Sequence, residues 1–275
     1  MVKQLNPNIN YEELANALSF SSTDHVFIAS DLNKLALQAK NKGIAFNANK
    51  FIESFQSALP EGSIIVPSYT DNIKDGDTFD VKNSKPTTGA LSNKILRRKD
   101  FKRSEDPIHS VLVWGKLQKE ILNLKPKSTF GLDGLFHLLN TEKVKMLIID
   151  VHLQNCFTYV HYVEEKLNVN YRKFYSLELK YINTNLEESN RKIDFHTKKL
   201  GIETNLHQLQ EELISNKTIS LYNYGDVEIK LLDFKTSENQ VISFISSGKK
   251  LYNFNLKLYL KQLVKLILGH KKPLF

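Results

Sequence analysis

The stretch KVKMLIIDV at residues 143–151 decides the fold class of this 275-residue chain. Its residues 146–149 are all apolar, whereas a half-exposed strand alternates apolar and polar residues. A strand of continuous apolar character is typical of a sheet that is covered on both faces, because neither side of it meets water. The stretch therefore predicts a central strand between two layers of helices.

The rest of the chain alternates strand-like and helix-like segments. Further strands are predicted at HVFIAS (25–30), SIIVPS (63–68), SVLVWG (110–115) and YRKFYSLELKYI (171–182). Helical spacing of apolar residues is found in NANKFIESFQSAL (47–59) and FTYVHYVEEKL (157–167). This alternation predicts an α/β fold, three-layer α/β/α with a mixed, partly parallel central sheet. Since no linker or internal repeat divides the chain, residues 1–275 are predicted to form a single domain.

Two regions have weaker patterns. Residues 71–88 are predicted to form a long polar loop, with Gly76 and Pro86 as breakers. After residue 183, helical pieces such as NLHQLQEELI (205–214) mix with strand-like KTISLYNY (217–224). Because long loops in compact domains are usually functional or mobile, residues 71–88 are a candidate part of a functional site.

The composition, 41% hydrophobic and 25% charged, is that of a soluble globular protein. The first residues, Met1 to Gln4, lead into polar NPNIN without an apolar segment, so no secretory signal is expected and the cytoplasm is the predicted location. The chain has a single cysteine, Cys156, which excludes an internal disulfide and agrees with a reducing compartment. No cluster with metal-ligand spacing accompanies it, so we expect no metal site.

The formal net charge of +8 raises the question of a polyanionic partner. Lysines are spread along the chain and no helix-turn-helix, zinc or RNP motif accompanies them, so no nucleic-acid partner is expected. The densest run, KILRRKDFKR (94–103), holds six cations in ten positions. It is interpreted either as a solvated face or as a funnel that concentrates a small phosphate-bearing ligand.

The segment KLYLKQLVKLILGHKK (257–272) places Lys257, Lys261 and Lys265 four residues apart, with apolar residues over the rest of a helix. This pattern fits an interfacial membrane helix. It fits equally a packed helix with its lysine stripe toward water, ended by a cap at Gly269, and this is the favoured interpretation. No integral membrane association is expected.

Three blocks resemble the antibiotic N-acetyltransferase family, whose best-known members are the aminoglycoside 3-N-acetyltransferases. They are GSIIVPSYTDNIKDGDTFDVKNSKPTTGALS (62–92), RSEDPIHSVLVWG (103–115) and TYVHYVEEKLNVNYR (158–172). Together with FGLDGLFHLL (130–139) and the strand ending at Ser30, they follow the order of the family over most of residues 24–172. The resemblance implies an N-acyltransferase with acetyl-CoA or another acyl-CoA, a coenzyme A thioester, as the acyl donor.

The chain departs from the pattern of the antibiotic-modifying members at several positions. It has Asp106 in place of His, Asn93 in place of Glu, Ala29 in place of His, and Asp133 and Gly134 in a region where the family has Ser. With its SDLNKL loop (30–35), the chain looks closer to the branch found in bacterial surface-polysaccharide pathways, some of whose members acylate nucleotide-linked amino sugars.

The resemblance therefore predicts that the acyl acceptor is a nucleotide-linked (e.g. dTDP) amino sugar. The acyl group is acetyl or a longer or hydroxylated one such as 3-hydroxybutanoyl. Two alternatives stay open, an aminoglycoside 3-N-acetyltransferase and a non-catalytic relative that binds sugar nucleotides.

His161 is the candidate general base for such a transfer. An amine attacks a thioester only when it is unprotonated, so a base with a pKa near neutrality is needed, and His is the side chain that starts there. On a helix, Thr158, Glu164 and Glu165 lie within one turn of His161. The motif favours Glu164 as the carboxylate that orients the ring, whereas helical spacing alone does not separate it from Glu165.

The resemblance implies three sets of site residues. The catalytic set is His161, Glu164, Thr158 and Asp106. The set that binds the cofactor is Ser30, Leu32, Lys34, Thr87, Thr88, Arg103, Ser104, His109 and Ser110. The set that binds the substrate is Thr70, Asp80, Tyr159, Tyr162, Tyr171 and Arg172.

Two of these inferences have alternatives in the sequence. Since Ser-x-Asp-Pro favours chain reversal, Asp106 is also explained as a cap of local N–H groups in a turn. A Cys156 thiol activated by His161 is a rival nucleophile, but five residues on a helix would turn the two side chains about 140° apart. Direct attack of the amine is therefore the favoured route, and Cys156 is interpreted as a small buried hydrophobe.

Overall fold

The computed structural model describes residues 2–268. Its strands are β1 (Lys3–Gln4), β2 (His25–Ser30), β3 (Ser63–Pro67), β4 (Thr78–Asp80), β5 (Lys102–Arg103), β6 (Val111–Gly115), β7 (Lys145–Ile149), β8 (Arg172–Ile182), β9 (Glu188–Lys198), β10 (Ile202–Thr204), β11 (Ser220–Tyr224), β12 (Val227–Asp233) and β13 (Tyr252–Phe254). Its helices are α1 (Leu14–Ala17), α2 (Asn33–Asn41), α3 (Ala48–Ala58), α4 (Ala90–Ile95), α5 (Gln118–Asn123), α6 (Leu135–Thr141), α7 (Val160–Lys166), α8 (His207–Ser215), α9 (Phe234–Ser246) and α10 (Leu256–Ile267).

The main sheet has the strand order β1-β11-β12-β7-β2-β3-β6-β5. At its centre β2 pairs in parallel with both β7 and β3, while β12 and β6 flank these three strands in the antiparallel direction. Helices cover both faces of the sheet, so the prediction of an α/β fold with a mixed, partly parallel central sheet is confirmed.

The central strand β7 shows why its sequence is apolar. Met146 and Ile148 pack into one buried cluster, whereas Leu147 and Ile149 pack into a second cluster that shares no member with the first. Successive side chains of a strand point to opposite faces, so two apolar layers need an unbroken apolar run. The interpretation of residues 143–151 as a strand covered on both faces is correct.

A second sheet has the order β4-β8-β9 and contains two strands that the sequence did not predict. β9 reads ESNRKIDFHTK and pairs antiparallel with β8 over all eleven of its residues. Because charged and polar residues dominate this sequence, it lacks the apolar alternation of a predictable strand. β4 lies inside the predicted loop 71–88, where three residues are too few for a periodic signal.

The helix α10 differs from its favoured interpretation. It was expected to pack its apolar side against the protein, yet none of its residues is buried. Leu258, Tyr259, Gln262 and Leu263 are half-buried, so the contact of α10 with the body leaves much of its apolar surface in water. The predicted cap at Gly269 lies outside the described residues.

Within residues 2–268, the structure has no helix whose length and apolar character would allow it to cross a membrane.

Candidate active site

A cavity of about 450 Å³ lies at the carboxyl ends of β2, β3 and β7. Ser30 and Pro67 are the last residues of β2 and β3, and Val151 follows β7 by two residues. Ligands of α/β sheets bind at this edge, because the loops that leave parallel strands converge there. The cavity wall is formed by Ala29, Ser30, Pro67, Tyr69, Asp71, Thr87, Thr88, Gly89, His109, Val151, Asn155, Cys156, Thr158 and His161.

His161 stands in the first turn of α7 and presents its imidazole to the cavity, where the side chain is 18% exposed. Its Nδ1 atom lies 2.6 Å from Oε2 of Glu164, whose side chain is 1% exposed. The other carboxylate that the sequence left open, Glu165, instead accepts a hydrogen bond from the Ser128 hydroxyl at 2.7 Å. Of the two, Glu164 is therefore the neighbour of the ring.

The start of β8 supplies two further partners of Glu164. Nε of Arg172 lies 2.5 Å from Glu164 Oε2, and the Tyr171 hydroxyl donates to Oε1 at 2.7 Å. Burial raises the pKa of Glu164, but His161 and Arg172 outweigh burial and lower it below its ordinary value. The carboxylate is therefore ionised and fixed by charged and hydroxyl donors. Arg172 is held in turn by the carbonyl of His196 at 2.8 Å.

The tautomer of His161 follows from its two neighbours. Nδ1 lies 2.6 Å from Glu164 Oε2 and also 2.6 Å from Nη2 of Arg172. One ring nitrogen cannot donate to the carboxylate and accept from the guanidinium at the same time. We assign the proton to Nδ1, because the ionised carboxylate accepts it. This assignment leaves the lone pair of His161 on Nε2, which lies 3.3 Å from the same Arg172 nitrogen.

The pKa of His161 differs from the value near neutrality that the sequence led us to expect. Burial and the positive charge of Arg172 lower it to about 4, and Glu164 offsets only part of this effect. The imidazole is therefore neutral at pH 7. In this neutral form the imidazole keeps a lone pair that can accept a proton from a reacting amine.

Acidification is expected to destabilise the fold through His109, His161 and His196, because burial lowers the pKa of all three imidazoles. Near pH 6.5 the unfolded chain takes up their protons, whereas folded His161 and His196 stay neutral down to about pH 4. Stability therefore falls as the pH drops through this window, by about 1.4 kcal/mol per pH unit for each imidazole. Urea denaturation at pH 7 and pH 5 measures this loss.

The variant His161→Asn removes the contribution of His161 to the pH dependence of stability and leaves those of His109 and His196. It is expected to lose about 2 kcal/mol less stability between pH 7 and pH 5 than the unchanged chain. Equal losses in the two proteins would mean that His161 titrates normally in the fold.

A second imidazole in the cavity wall, that of His109, is held by a chain of hydrogen bonds. Its Nδ1 lies 2.9 Å from the Thr129 hydroxyl, which donates to Oδ2 of Asp106 at 2.6 Å. Oδ1 of Asp106 accepts the backbone N–H groups of Ile108 and His109 at 2.8 and 2.9 Å. Asp106 was predicted to be catalytic, but it caps this turn and lies behind the wall, so it positions His109.

Arg103, Ser104 and Ser110 were predicted to bind the cofactor, but the structure places them in the protein interior. The guanidinium of Arg103, which is 5% exposed, donates to the Ser110 hydroxyl at 3.0 Å and to the carbonyls of Ser68, at 2.6 Å, and Ser84. The Ser104 hydroxyl accepts a backbone N–H of β6 at 2.9 Å. Because these groups satisfy one another, they tie together the segments beneath the cavity.

The remaining predicted cofactor residues divide into two groups. Neither Lys34, which forms an ion pair with Asp150 at 2.7 Å, nor Leu32, which directly precedes α2, lines the cavity. The structure brings together in that wall, beside His109, the residues Ser30, Thr87 and Thr88.

The predicted substrate residues lie around the cavity and not in its wall. Thr70 donates to the carbonyl of Pro107, and Asp80 accepts the backbone N–H of Lys82 at 2.8 Å, so both stabilise turns. The aromatic and basic members of the set are buried or half-buried on α7, at its start, or at the start of β8, namely Tyr159, Tyr162, Tyr171 and Arg172. The Tyr162 hydroxyl lies 3.0 Å from Nδ1 of His137 and the Tyr171 hydroxyl donates to Glu164 at 2.7 Å, whereas the buried Tyr159 hydroxyl has no hydrogen-bond partner within residues 2–268.

Sequence reasoning missed Tyr69, Asp71 and Asn155, which line the cavity. Asp71 Oδ2 accepts a hydrogen bond from the Thr87 hydroxyl at 3.2 Å, and burial raises the pKa of Asp71. Tyr69 and Asp71 follow β3 directly, so the position of the PSYTD segment at a strand end was the signal for both.

Cys156 and His161 face the same cavity, in contrast to the divergent directions expected from a shared helix. The reason is that α7 begins only at Val160, so the two residues are not on one helix. Burial raises the pKa of the Cys156 thiol to about 12, which keeps it protonated and weakly nucleophilic at neutral pH.

Comparison with known proteins gives two kinds of match. The family described as aminoglycoside 3-N-acetyltransferase matches residues 37–243. Among solved structures, AAC-IIIb in a binary complex with CoASH is 15% identical, with a TM-score of 0.72 over 92% of this chain and 99% of that one. No curated protein sequence matches the chain.

Two further structures have the same fold. The YokD protein from Bacillus subtilis is 15% identical, with a TM-score of 0.71 over 91% of this chain and 97% of that one. AAC-VIa bound to sisomicin is 13% identical, with a TM-score of 0.71 over 88% of this chain and 99% of that one.

Proposed function

Because this chain belongs to the aminoglycoside 3-N-acetyltransferase family, we propose that it transfers an acyl group to the amino group of a nucleotide-linked sugar. Membership makes the chain an acyl-CoA-dependent N-acetyltransferase. The finer proposals concern the base, the acyl donor's binding groups and the acceptor. The observation that carries them is the His161 imidazole in the cavity wall, with Glu164 on its Nδ1 atom.

In the proposed mechanism His161 is the general base. The amine nitrogen attacks the thioester carbonyl carbon, and Nε2 of His161 accepts the proton that the amine loses. The ionised Glu164 stabilises the imidazolium that this transfer creates. When the bond from carbon to sulfur breaks, the same proton goes to the coenzyme A sulfur, so the imidazole returns to its neutral form.

The oxygen of the attacked carbonyl gathers negative charge and needs hydrogen-bond donors. Two hydroxyls of the cavity wall are suited to this role. The Ser30 hydroxyl is buried and has no hydrogen-bond partner within residues 2–268, and Thr158 precedes α7 beside the base. We propose these two as the oxyanion donors.

Coenzyme A requires cations for its phosphates, and the run 94–103 supplies them. Of its six cations, Arg103 is interior and Arg98 pairs with Asp100 at 2.8 Å. The other four are exposed: Lys94 on α4, Arg97 and Lys99 after it, and Lys102 on β5. We propose that these four cations attract the phosphates of the donor.

The charge of the site favours an anionic acceptor. Asp71 is the one carboxylate in the cavity wall formed by the described residues, and the chain has a net charge of +8. A polycationic acceptor needs several carboxylates, whereas an amino sugar on a nucleotide diphosphate is attracted by a basic protein. This supports the nucleotide-linked amino sugar as the acceptor.

An aminoglycoside is the second candidate acceptor. Structures with the same fold were solved with sisomicin and with apramycin. Asp71, whose carboxylate faces the cavity, offers one anionic contact to an ammonium group of such a ligand.

A thiol-release assay tests the proposal. The protein is mixed with acetyl-CoA, a thiol-trapping dye, and either dTDP-linked amino sugars, sisomicin or apramycin. Turnover with the nucleotide-linked sugars supports the proposal, and turnover with sisomicin or apramycin alone supports the second candidate. If no amine is acylated but a sugar nucleotide binds in calorimetry, the chain is a non-catalytic relative.

The variant Cys156→Ser is expected to keep its acyl-transfer rate within about 3-fold of the unchanged chain, because serine occupies a similar volume and direct attack does not use the thiol. Steady-state rates with saturating acetyl-CoA measure this. A loss of 100-fold or more, or a burst of thiol release in the absence of an amine, would indicate an acyl-cysteine intermediate.

A further inference from the structure

The helix α10 carries an apolar stripe that the protein leaves in water. Leu256, Leu260, Val264 and Ile267 are 60, 51, 53 and 75% exposed. Their spacing of four, four and three residues puts them on one side of the helix. Phe254, just before the helix, adds a fifth exposed apolar side chain. Contiguous exposed apolar surface of this kind marks an interaction site.

A basic stripe runs beside the apolar one. Lys257, Lys261 and Lys265 each follow a residue of the apolar stripe, so they lie about 100° further round the helix, and all three are exposed. The opposite side, which includes Tyr259 and Leu263, is the side in contact with the protein body. From residue 249 to 275 the sequence has seven lysines and neither Asp nor Glu. The segment is therefore purely basic.

We propose that α10 binds the surface of an anionic lipid bilayer. A helix lying in the interface buries its apolar stripe among the acyl chains and leaves its lysines at the level of the phosphates. Lysine stems are long enough to reach the headgroups from beside the buried stripe. The apolar and basic stripes of α10 lie side by side on its exposed surface, as this arrangement requires.

Charge favours a bilayer over a second copy of the chain as the occupant. In a symmetric contact between two copies, the same surface patch meets itself. The lysine stripes of two α10 helices would then come together on molecules that each have a net charge of +8, and like charges repel. Anionic headgroups instead neutralise the same lysines and attract them to the surface.

Vesicle flotation tests this inference with the full chain. The probes are phosphatidylcholine vesicles with and without phosphatidylglycerol. We expect the protein to float with the anionic vesicles at low salt, to be released by high salt, and not to bind the neutral vesicles. A lack of binding to anionic vesicles at low salt would overturn the proposal.

Two triple variants distinguish the contribution of the α10 lysines to vesicle binding from that of the net charge of the whole chain. Lys257→Gln, Lys261→Gln and Lys265→Gln combined are expected to weaken partitioning on the order of 100-fold. The control, Lys40→Gln, Lys119→Gln and Lys173→Gln, removes the same charge from exposed positions outside α10 and should weaken it much less. An equal loss in the two triple variants would overturn the assignment to α10.

Two double variants test whether the apolar stripe is needed for vesicle binding. Leu260→Glu with Val264→Glu is expected to abolish flotation, whereas Leu37→Glu with Leu186→Glu, at equally exposed positions, should not. Sedimentation of the same proteins without lipid reports the competing occupant. A dimer of the unchanged chain that Leu260→Glu with Val264→Glu converts to a monomer would assign the surface to a second copy and overturn the proposal.

Discussion

The variant His161→Asn is expected to lower kcat for acyl transfer by about 10²- to 10⁴-fold. Asparagine keeps a polar group near Glu164 and fits the space of the ring, but it has no lone pair of comparable basicity for the amine proton. Binding of coenzyme A should remain, because it does not depend on the base. Thiol release at saturating substrates measures kcat, and calorimetry with coenzyme A measures binding.

A matched variant controls for the loss of any imidazole. His207→Asn changes an exposed histidine at the start of α8 and should leave kcat within about 2-fold. If His161→Asn retained more than a tenth of the rate, another group would have to accept the proton. His109 would then be the first candidate, since its imidazole also faces the cavity.

The variant Arg103→Met is expected to cost about 3–5 kcal/mol of stability, the largest loss we predict for a single side chain. Methionine leaves the Ser110 hydroxyl and the Ser84 carbonyl without their donor, and the buried Ser68 carbonyl keeps only the Ser110 hydroxyl, at 2.6 Å. An unpaired buried acceptor costs its full desolvation free energy. Urea denaturation with the linear extrapolation measures the effect.

The control is Arg97→Met, which removes an exposed cation of the same basic run and should change stability by about 0.5 kcal/mol or less. The two variants also separate the structural role of Arg103 from phosphate binding. If Arg103 bound coenzyme A, Arg103→Met would raise the KM for acetyl-CoA and leave the unfolding curve in place. That result would contradict the interior position of the guanidinium.

The sheet and the location of the site were predictable because their signals are local. The apolar run of β7 requires two covered faces, and the strands that end at Ser30 and Pro67 put their following residues at one edge. The spacing of His161 and Glu164 within one helical turn brings them into contact whatever the rest of the chain does.

The direction of individual side chains was not predictable, because it depends on partners distant in sequence. Arg103 and Ser110 have the residue types of a phosphate site, yet Arg103 reaches Ser68, 35 positions away, and turns inward. The low pKa of His161 likewise comes from burial and from Arg172, which a different sheet brings to the ring. Residue type gives a chemical capability, and only tertiary packing decides its use.

The β8–β9 hairpin belongs to the smaller sheet, yet its first residue, Arg172, contacts the His161 imidazole and lowers its pKa. Exchanging this hairpin between relatives would therefore change the pKa of the His161 imidazole as well as the surface that the hairpin forms. Chimaeras designed to alter acceptor preference should keep Arg172 and the His196 carbonyl as one unit. Otherwise a change intended to alter acceptor specificity would also alter the pKa of His161.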